Sequence, residues 1–245
     1  MNPTFPRRVV LAGAAAAVMT ARTPRNAAAA PRLSFPDTAL SRRTQRLTAR
    51  TQQPFLRNHS LRSFLFARAA AAAQGTRPGE DYDPELVFLI CALHDMGLTP
   101  TVHSDLRFEV AGADFAAEFL QSQGADDHTV DTVWLAVALH TTQHVHASPV
   151  FRRRAAPEIA IAQAGIGIDL DGPDGLPDGY AARVTAAYPR AGGGRALFAA
   201  IEQQALANPL KGPPTSFAGE LVHQRHPSLP YLTLDRVLEA NRWGD

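Results

Sequence analysis

The stretch from Asp83 to Gly97 constrains this chain more than any other. It reads Asp-Pro-Glu-Leu-Val-Phe-Leu-Ile-Cys-Ala-Leu-His-Asp-Met-Gly, with an unbroken apolar run from Leu86 to Leu93. Asp83 suits an N-cap and Pro84 the first helical position. Gly97 stops the helix. A helix that is apolar on nearly every side has to be surrounded, so this one belongs at the centre of the fold. It must also end there with a histidine and a carboxylate, His94 and Asp95. An unpartnered buried polar group costs roughly 1–3 kcal/mol, and a charge costs more. Both side chains therefore need partners. A metal ion is an efficient one, because it takes neutral imidazole and ionised carboxylate together.

The rest of the chain is punctuated for helices, and no run alternates convincingly as a strand. The expected architecture is all-α. One helix is expected at 37–50 and a long one from Phe55 to Gln74, with Leu56, Leu61, Phe64, Leu65 and Arg68 facing the core. Another follows the cap Asp105 and runs to Gln123, with the stripe Phe108, Ala111, Phe115 and Phe119. Asp126 or Asp127 caps the next, whose stripe Val130, Val133, Val137 ends on His140. Pro157 and Glu158 open a helix on which Ile159, Ala162, Ile166 and Asp169 share one face. Helices near 178–188, 193–207 and 231–242 complete the chain around a Pro/Gly-rich stretch at 208–216.

The 245 residues, 45% hydrophobic and 19% charged, suffice for one cored domain and make two a squeeze. The organisation read from them is a leader at 1–30, a lead-in at 31–52 and a single domain at 53–245, with its motifs within 55–170. One cysteine excludes an internal disulfide and a Cys-rich zinc site. The one lysine, Lys211, precedes Gly212 and Pro213, which excludes a P-loop. Nine histidines remain as the reactive inventory. A net charge of +1 argues against nucleic acid as a partner.

That charge is unevenly placed. Residues 1–30 hold Arg7, Arg8, Arg22 and Arg25 and no acid; without them the chain has 20 basic groups against 23 acidic ones. The segment has a basic start, a short apolar stretch from Val9 to Met19, and small residues at Ala27 to Ala30. This is the layout of a signal peptide, and Arg7-Arg8 resembles a twin-arginine leader. The expectation is export to the periplasm or beyond, with no stable membrane insertion after processing. An Ala-rich tail on a cytoplasmic protein is the alternative.

Polar residues also interrupt other buried faces. Asp169 continues the stripe of its helix, although Asp171, Asp174 and Asp178 in the same acidic loop compete with it. His59 stands beside the apolar run that begins at Leu61. Together His59, His94, Asp95 and Asp169 make an N/O set that could hold a divalent ion with positions left open for water. The competing reading is a buried polar network that ties helices together. His140 could be a satisfied core histidine, a proton-transfer group or a ligand of a second ion. Glu109 could be an exposed carboxylate beside Arg107 or a support for ligand or substrate.

The order His59, His94-Asp95, Asp169 on an all-α core resembles the HD-domain superfamily of metal-dependent phosphohydrolases, over about residues 50–170. Within it, Asn58-His59-Ser60-Leu61-Arg62, Arg107-Phe108-Glu109-Val110-Ala111-Gly112 and Val137-Ala138-Leu139-His140-Thr141 are similar to segments of the cyanamide hydratase-like group. The resemblance implies a divalent ion (Zn, Fe or Mn) on His59, His94, Asp95 and Asp169. It also implies Asp95, His140 and Glu109 as catalytic candidates, and water addition to a small-molecule substrate such as cyanamide, giving urea. Phosphate-ester hydrolysis is the alternative chemistry; Leu98 stands where many superfamily phosphodiesterases have lysine. A non-catalytic helical binding domain is the third reading, and a homo-oligomer is compatible with all three.

Overall fold

The computed structural model describes residues 31–243, and the leader expected at 1–30 lies outside them. The described residues form helices and connecting loops with no strand; Pro78 and Tyr82 make one isolated bridge. The helices are α1 (Ala39–Thr51), α2 (Pro54–Ala73), α3 (Pro84–Leu93), α4 (Phe108–Ser122), α5 (Asp127–Leu139), α6 (Pro149–Arg154), α7 (Pro157–Asp171), α8 (Tyr180–Ala187), α9 (Gly193–Ala207), α10 (Phe217–Arg225) and α11 (Leu234–Glu239). The architecture is all-α, as the periodicity predicts. No described helix is long and apolar enough to cross a membrane.

The apolar run does become the central helix. Every residue of α3 from Leu86 to Leu93 is buried, with the Asp83 side chain capping its start and Pro84 in the first turn. His94 follows as the C-cap, and Met96–Leu98 tighten into a 3₁₀ turn. Helix α1 lays Ser41, Thr44 and Thr48 towards the interior, and Gln52 at its end donates to the Ala92 carbonyl at 3.1 Å. Phe35, just before it, stacks on Phe64 of α2 with ring centroids 5.5 Å apart. The lead-in segment is therefore part of the packed body.

Two close backbone approaches fix where the functional helices meet. On α7, a Cβ at Gly165 would sit 2.1 Å from the Ser63 carbonyl oxygen and 2.6 Å from the Ala67 Cβ, both on α2. Only glycine allows α2 and α7 to touch there. One helical turn away from that contact, in opposite chain directions, lie His59 and Asp169. Behind α3, a Cβ at Gly97 would fall 1.9 Å from the Phe108 carbonyl oxygen, and one at Gly112 would fall 2.9 Å from the Gly97 nitrogen. This contact presses the start of α4 against the turn that carries Asp95.

Several boundaries differ from expectation. Helix α4 starts at Phe108, because Asp105 does not cap it and instead accepts from Asn208 at 2.8 Å. Its stripe is Phe108, Ala111, Ala116 and Leu120, with Phe115 and Phe119 only half-buried. Arg68 is also only half-buried and reaches the Ser34 carbonyl. Helices α6 and α10 lie where the sequence shows no apolar stripe; Ser148 and Ser216 cap them. Helix α11 covers only part of 231–242 and buries no residue. The C-terminal third still packs on the motif region, since Leu197, Ile201, Ala205 and Ala218 cluster with Leu56 and Phe108.

Candidate metal centre

Helices α2, α3 and α5 each deliver one histidine to the same place. His59 comes from the first half of α2, His94 from the end of α3 and His140 from the end of α5. All three are buried, His140 being the most exposed at 8%. Helix α5 starts at the cap Asp126, and its apolar face carries Val130, Val133 and Val137 inward, so its terminal histidine points the same way.

The hydrogen bonds settle which ring nitrogen is free. His94 Nδ1 lies 2.9 Å from the Cys91 carbonyl oxygen, and His140 Nδ1 lies 2.6 Å from the Val137 carbonyl oxygen. A carbonyl only accepts, so each Nδ1 carries the proton and each neutral ring keeps a bare lone pair on Nε2. His59 Nδ1 makes the same kind of bond to Asp169 Oδ2 at 2.7 Å. Burial works to raise the Asp169 carboxyl, but hydrogen bonds from Arg62 and His59 overcome it and hold it well below the usual carboxylate range. An ionised Asp169 accepts, so His59 Nδ1 donates and its Nε2 is bare as well.

These bare atoms converge. His59 Nε2 and His94 Nε2 are 3.2 Å apart. Asp95 Oδ2 lies 3.1 Å from His94 Nε2 and 3.7 Å from His59 Nε2. Its other oxygen is 3.6 Å from His140 Nε2. Asp95 Oδ2 is buried without a hydrogen-bond donor. Lone pairs facing one another in a low-dielectric interior repel unless something positive sits among them. A proton can serve, and so can a divalent cation with a preference for imidazole and carboxylate. The donor set thus fits the metal that the sequence suggests. Among the described residues, His59, His94 and Asp95 form the group whose ligand atoms all lie within 4.8 Å of one another.

The titration directions show the proton version of the same demand. Burial lowers the pKa of His59, helped by the nearby His94, and the Asp169 hydrogen bond only partly opposes it. Burial lowers His94 too, but the charge and hydrogen bond of Asp95 outweigh it and raise the net value. Burial would raise Asp95, yet His94 and His140 hold it far below the ordinary range. Burial thus opposes a proton on His59, while Asp95 favours one on His94.

Asp169 stands apart from the other three expected ligands. Both of its oxygens are turned to donors: Oδ1 to Arg62 Nε at 2.6 Å, Oδ2 to Arg62 Nη2 and His59 Nδ1, each at 2.7 Å. It sits behind His59, on the Nδ1 side, where it orients the ring. The competing acids Asp171, Asp174 and Asp178 are all exposed in the same loop. Glu109 is fully buried and accepts from the Thr141 hydroxyl at 2.5 Å, while its Oε2 has no hydrogen-bond partner. It fixes the chain immediately after His140. Thr141 closes the sequence segment that ends on His140 but carries no sign of this bond, and Gln163, which donates to the His140 carbonyl at 2.9 Å, stands in no recognisable pattern.

The family model described as HD domain matches residues 56–171, just under half of the chain. The match includes all of His59, His94, Asp95, His140 and Asp169. No curated protein matches the chain.

Proposed function

We propose, taking the HD domain at residues 56–171 as the premise, that this chain is a metal-dependent enzyme that adds water to a small, uncharged molecule. The observation that carries this reading is the convergence of His59 Nε2, His94 Nε2 and Asp95 Oδ2 in a buried site with no donor among them. His59, His94 and Asp95 would hold the ion, with Asp169 set behind His59. A divalent ion there would polarise a substrate and bring the pKa of a water towards neutrality.

The chain's own residues supply the rest. His140 keeps its Nδ1 proton on the Val137 carbonyl, so proton traffic passes through Nε2, which faces Asp95 Oδ1. In cyanamide hydration, the water oxygen bonds to the nitrile carbon. Both water protons pass in turn through His140 Nε2 to the nitrile nitrogen, the first giving isourea and the second, with the carbon–oxygen double bond formed, giving urea. Glu109 holds Thr141 and hence the position of His140. Phe108, with its ring centroid 5.5 Å from that of His140, excludes water from one side.

Burial and charge favour a small neutral substrate over a nucleotide. Arg62, the cation nearest His59, is 1% exposed and fully engaged by Asp169 and the carbonyls of Tyr188 and Pro189. Arg107 faces Glu109 at 3.8 Å. Neither arginine is left free to form a phosphate-binding cluster. Urea release from cyanamide, set against phosphate release from nucleotide monophosphates, tests the reading. Urea formation that disappears in His94→Ala is expected. Phosphate release without urea would replace it with the phosphohydrolase reading.

A further inference from the structure

The family match ends at residue 171, but the polar shell around His59 does not. The chain returns to α2 at Tyr188–Arg190, between α8 and α9. Asn58 donates to the Pro189 carbonyl at 2.8 Å, and Arg62 donates to the carbonyls of Tyr188 and Pro189 at 3.1 and 3.2 Å. Asn58 precedes His59 on α2 and Arg62 follows it by one helical turn, so the helix is tied to this segment on both sides of the histidine. Arg190 then grips Asp169 twice. Its Nη1 donates to Oδ1 at 3.1 Å and its Nη2 donates to the main-chain oxygen at 2.7 Å.

Local backbone geometry serves that grip. Ala191, Gly192 and Gly193 all have positive φ, at 48°, 97° and 54°, which turns the chain sharply into α9 directly after Arg190. A Cβ at Gly193 would meet Arg190 Nε at 3.0 Å, so the glycine leaves room for the guanidinium. With Arg190 in place, each Asp169 oxygen accepts two hydrogen bonds. A carboxylate with its acceptor sites filled this way cannot swing round His59 without breaking several charge-assisted bonds.

We propose that Arg190, supplied from outside the HD-matching segment, is a positioning residue of the metal centre. It acts through Asp169 to keep the proton on His59 Nδ1 and the lone pair on Nε2 aimed at Asp95. The inference rests on the metal-dependent reading above. It predicts that the C-terminal helices contribute to ion binding through one residue of the turn that precedes α9.

The test uses the full chain with Arg190→Gln and Arg190→Lys. Zn²⁺ affinity is measured by competition with a chromophoric chelator, and the His59 ring nitrogens are followed by ¹⁵N NMR in the metal-free protein. Arg190→Gln should weaken Zn²⁺ binding by about tenfold, the low end for residues that orient a ligand. Arg190→Lys keeps the charge but only one of the two bonds, and should fall between that variant and the parent. The ¹⁵N signals should show His59 as the Nδ1–H tautomer in the parent and as a mixture in Arg190→Gln. Parental Zn²⁺ affinity and an unchanged tautomer in Arg190→Gln would overturn the inference. Should that variant not fold, parental affinity in Arg190→Lys overturns it equally. A parent chain that binds no Zn²⁺ would instead defeat the functional reading, and the His59 tautomer alone would then decide the positioning role.

Discussion

Three imidazoles on three helices each give the Nδ1 proton to an acceptor behind them and leave Nε2 bare towards Asp95. This common tautomer prepares the site for a cation and makes its behaviour depend on pH. His94 has a raised pKa in the metal-free protein. The stability it contributes is therefore present below the ordinary histidine value of about 6.5 and lost as pH rises through its own higher value. His59 has a lowered pKa, and its contribution has the opposite sense: present above the ordinary value and lost as pH falls through its own. An ion must displace the His94 proton. Its affinity should fall about tenfold per pH unit once the pH drops below the raised His94 value, a decline that begins above the ordinary histidine range. Metal titrations from pH 8.5 to 6 check this, and a flat profile would contradict it. His94 and Asp95 were legible in the sequence because they terminate a run that had to be buried. Asp169 was legible as an inward residue but not as a partner of Nδ1, because periodicity gives a face and not a direction around a ring. Arg190 left no trace in the sequence, since a loop arginine far along the chain from its partner carries no local signal.

The helices meet where glycine permits it. Gly165 on α7 touches the α2 backbone, and Gly97 and Gly112 let the start of α4 close on the turn after α3. Gly165→Ala should therefore push α7 off α2, moving Asp169 from His59. Overpacking a tight core costs typically about 1–3 kcal/mol, and here the clashing atom is backbone, so the upper end or more is expected. Chemical denaturation measures that loss, and a midpoint equal to the parent's would mean the helices are less closely apposed. Gly175→Ala makes a useful comparison, because its neighbourhood is open and its cost comes from its positive φ of 77° alone. Helix identity was largely readable from periodicity and caps, as at Asp83 and Asp126. Helices α6 and α10 escaped because each is short and has at most two buried residues, so neither presents an apolar stripe. Asp105 resembled a cap by composition, but its carboxylate is engaged by Asn208 from beyond α9.

Taken together, the described α-helical body leaves a demand for positive charge among His59, His94 and Asp95. An ion that binds the folded chain and not the unfolded one stabilises it by mass action, about 2.7 kcal/mol at a free concentration one hundred times its dissociation constant. Chelation should accordingly lower the thermal midpoint of the loaded protein, and re-addition of a divalent ion should restore it. The difference between loaded and metal-free midpoints should widen as pH rises through the raised His94 pKa, because the metal-free protein then loses the stability that a protonated His94 contributes. A removable leader at 1–30 would shift the balance of the remaining chain to acidic, with 20 basic groups against 23 acidic ones. N-terminal sequencing of the mature protein recovered from its producing cells tests that proposal, and an intact start would refute it. The most direct measurement is elemental analysis of the purified parent beside His94→Ala and Asp169→Asn. One divalent ion per chain is expected in the parent, none in His94→Ala, and a weakened but detectable site in Asp169→Asn. A parent without stoichiometric metal, or a His94→Ala variant that retains it, would contradict the account.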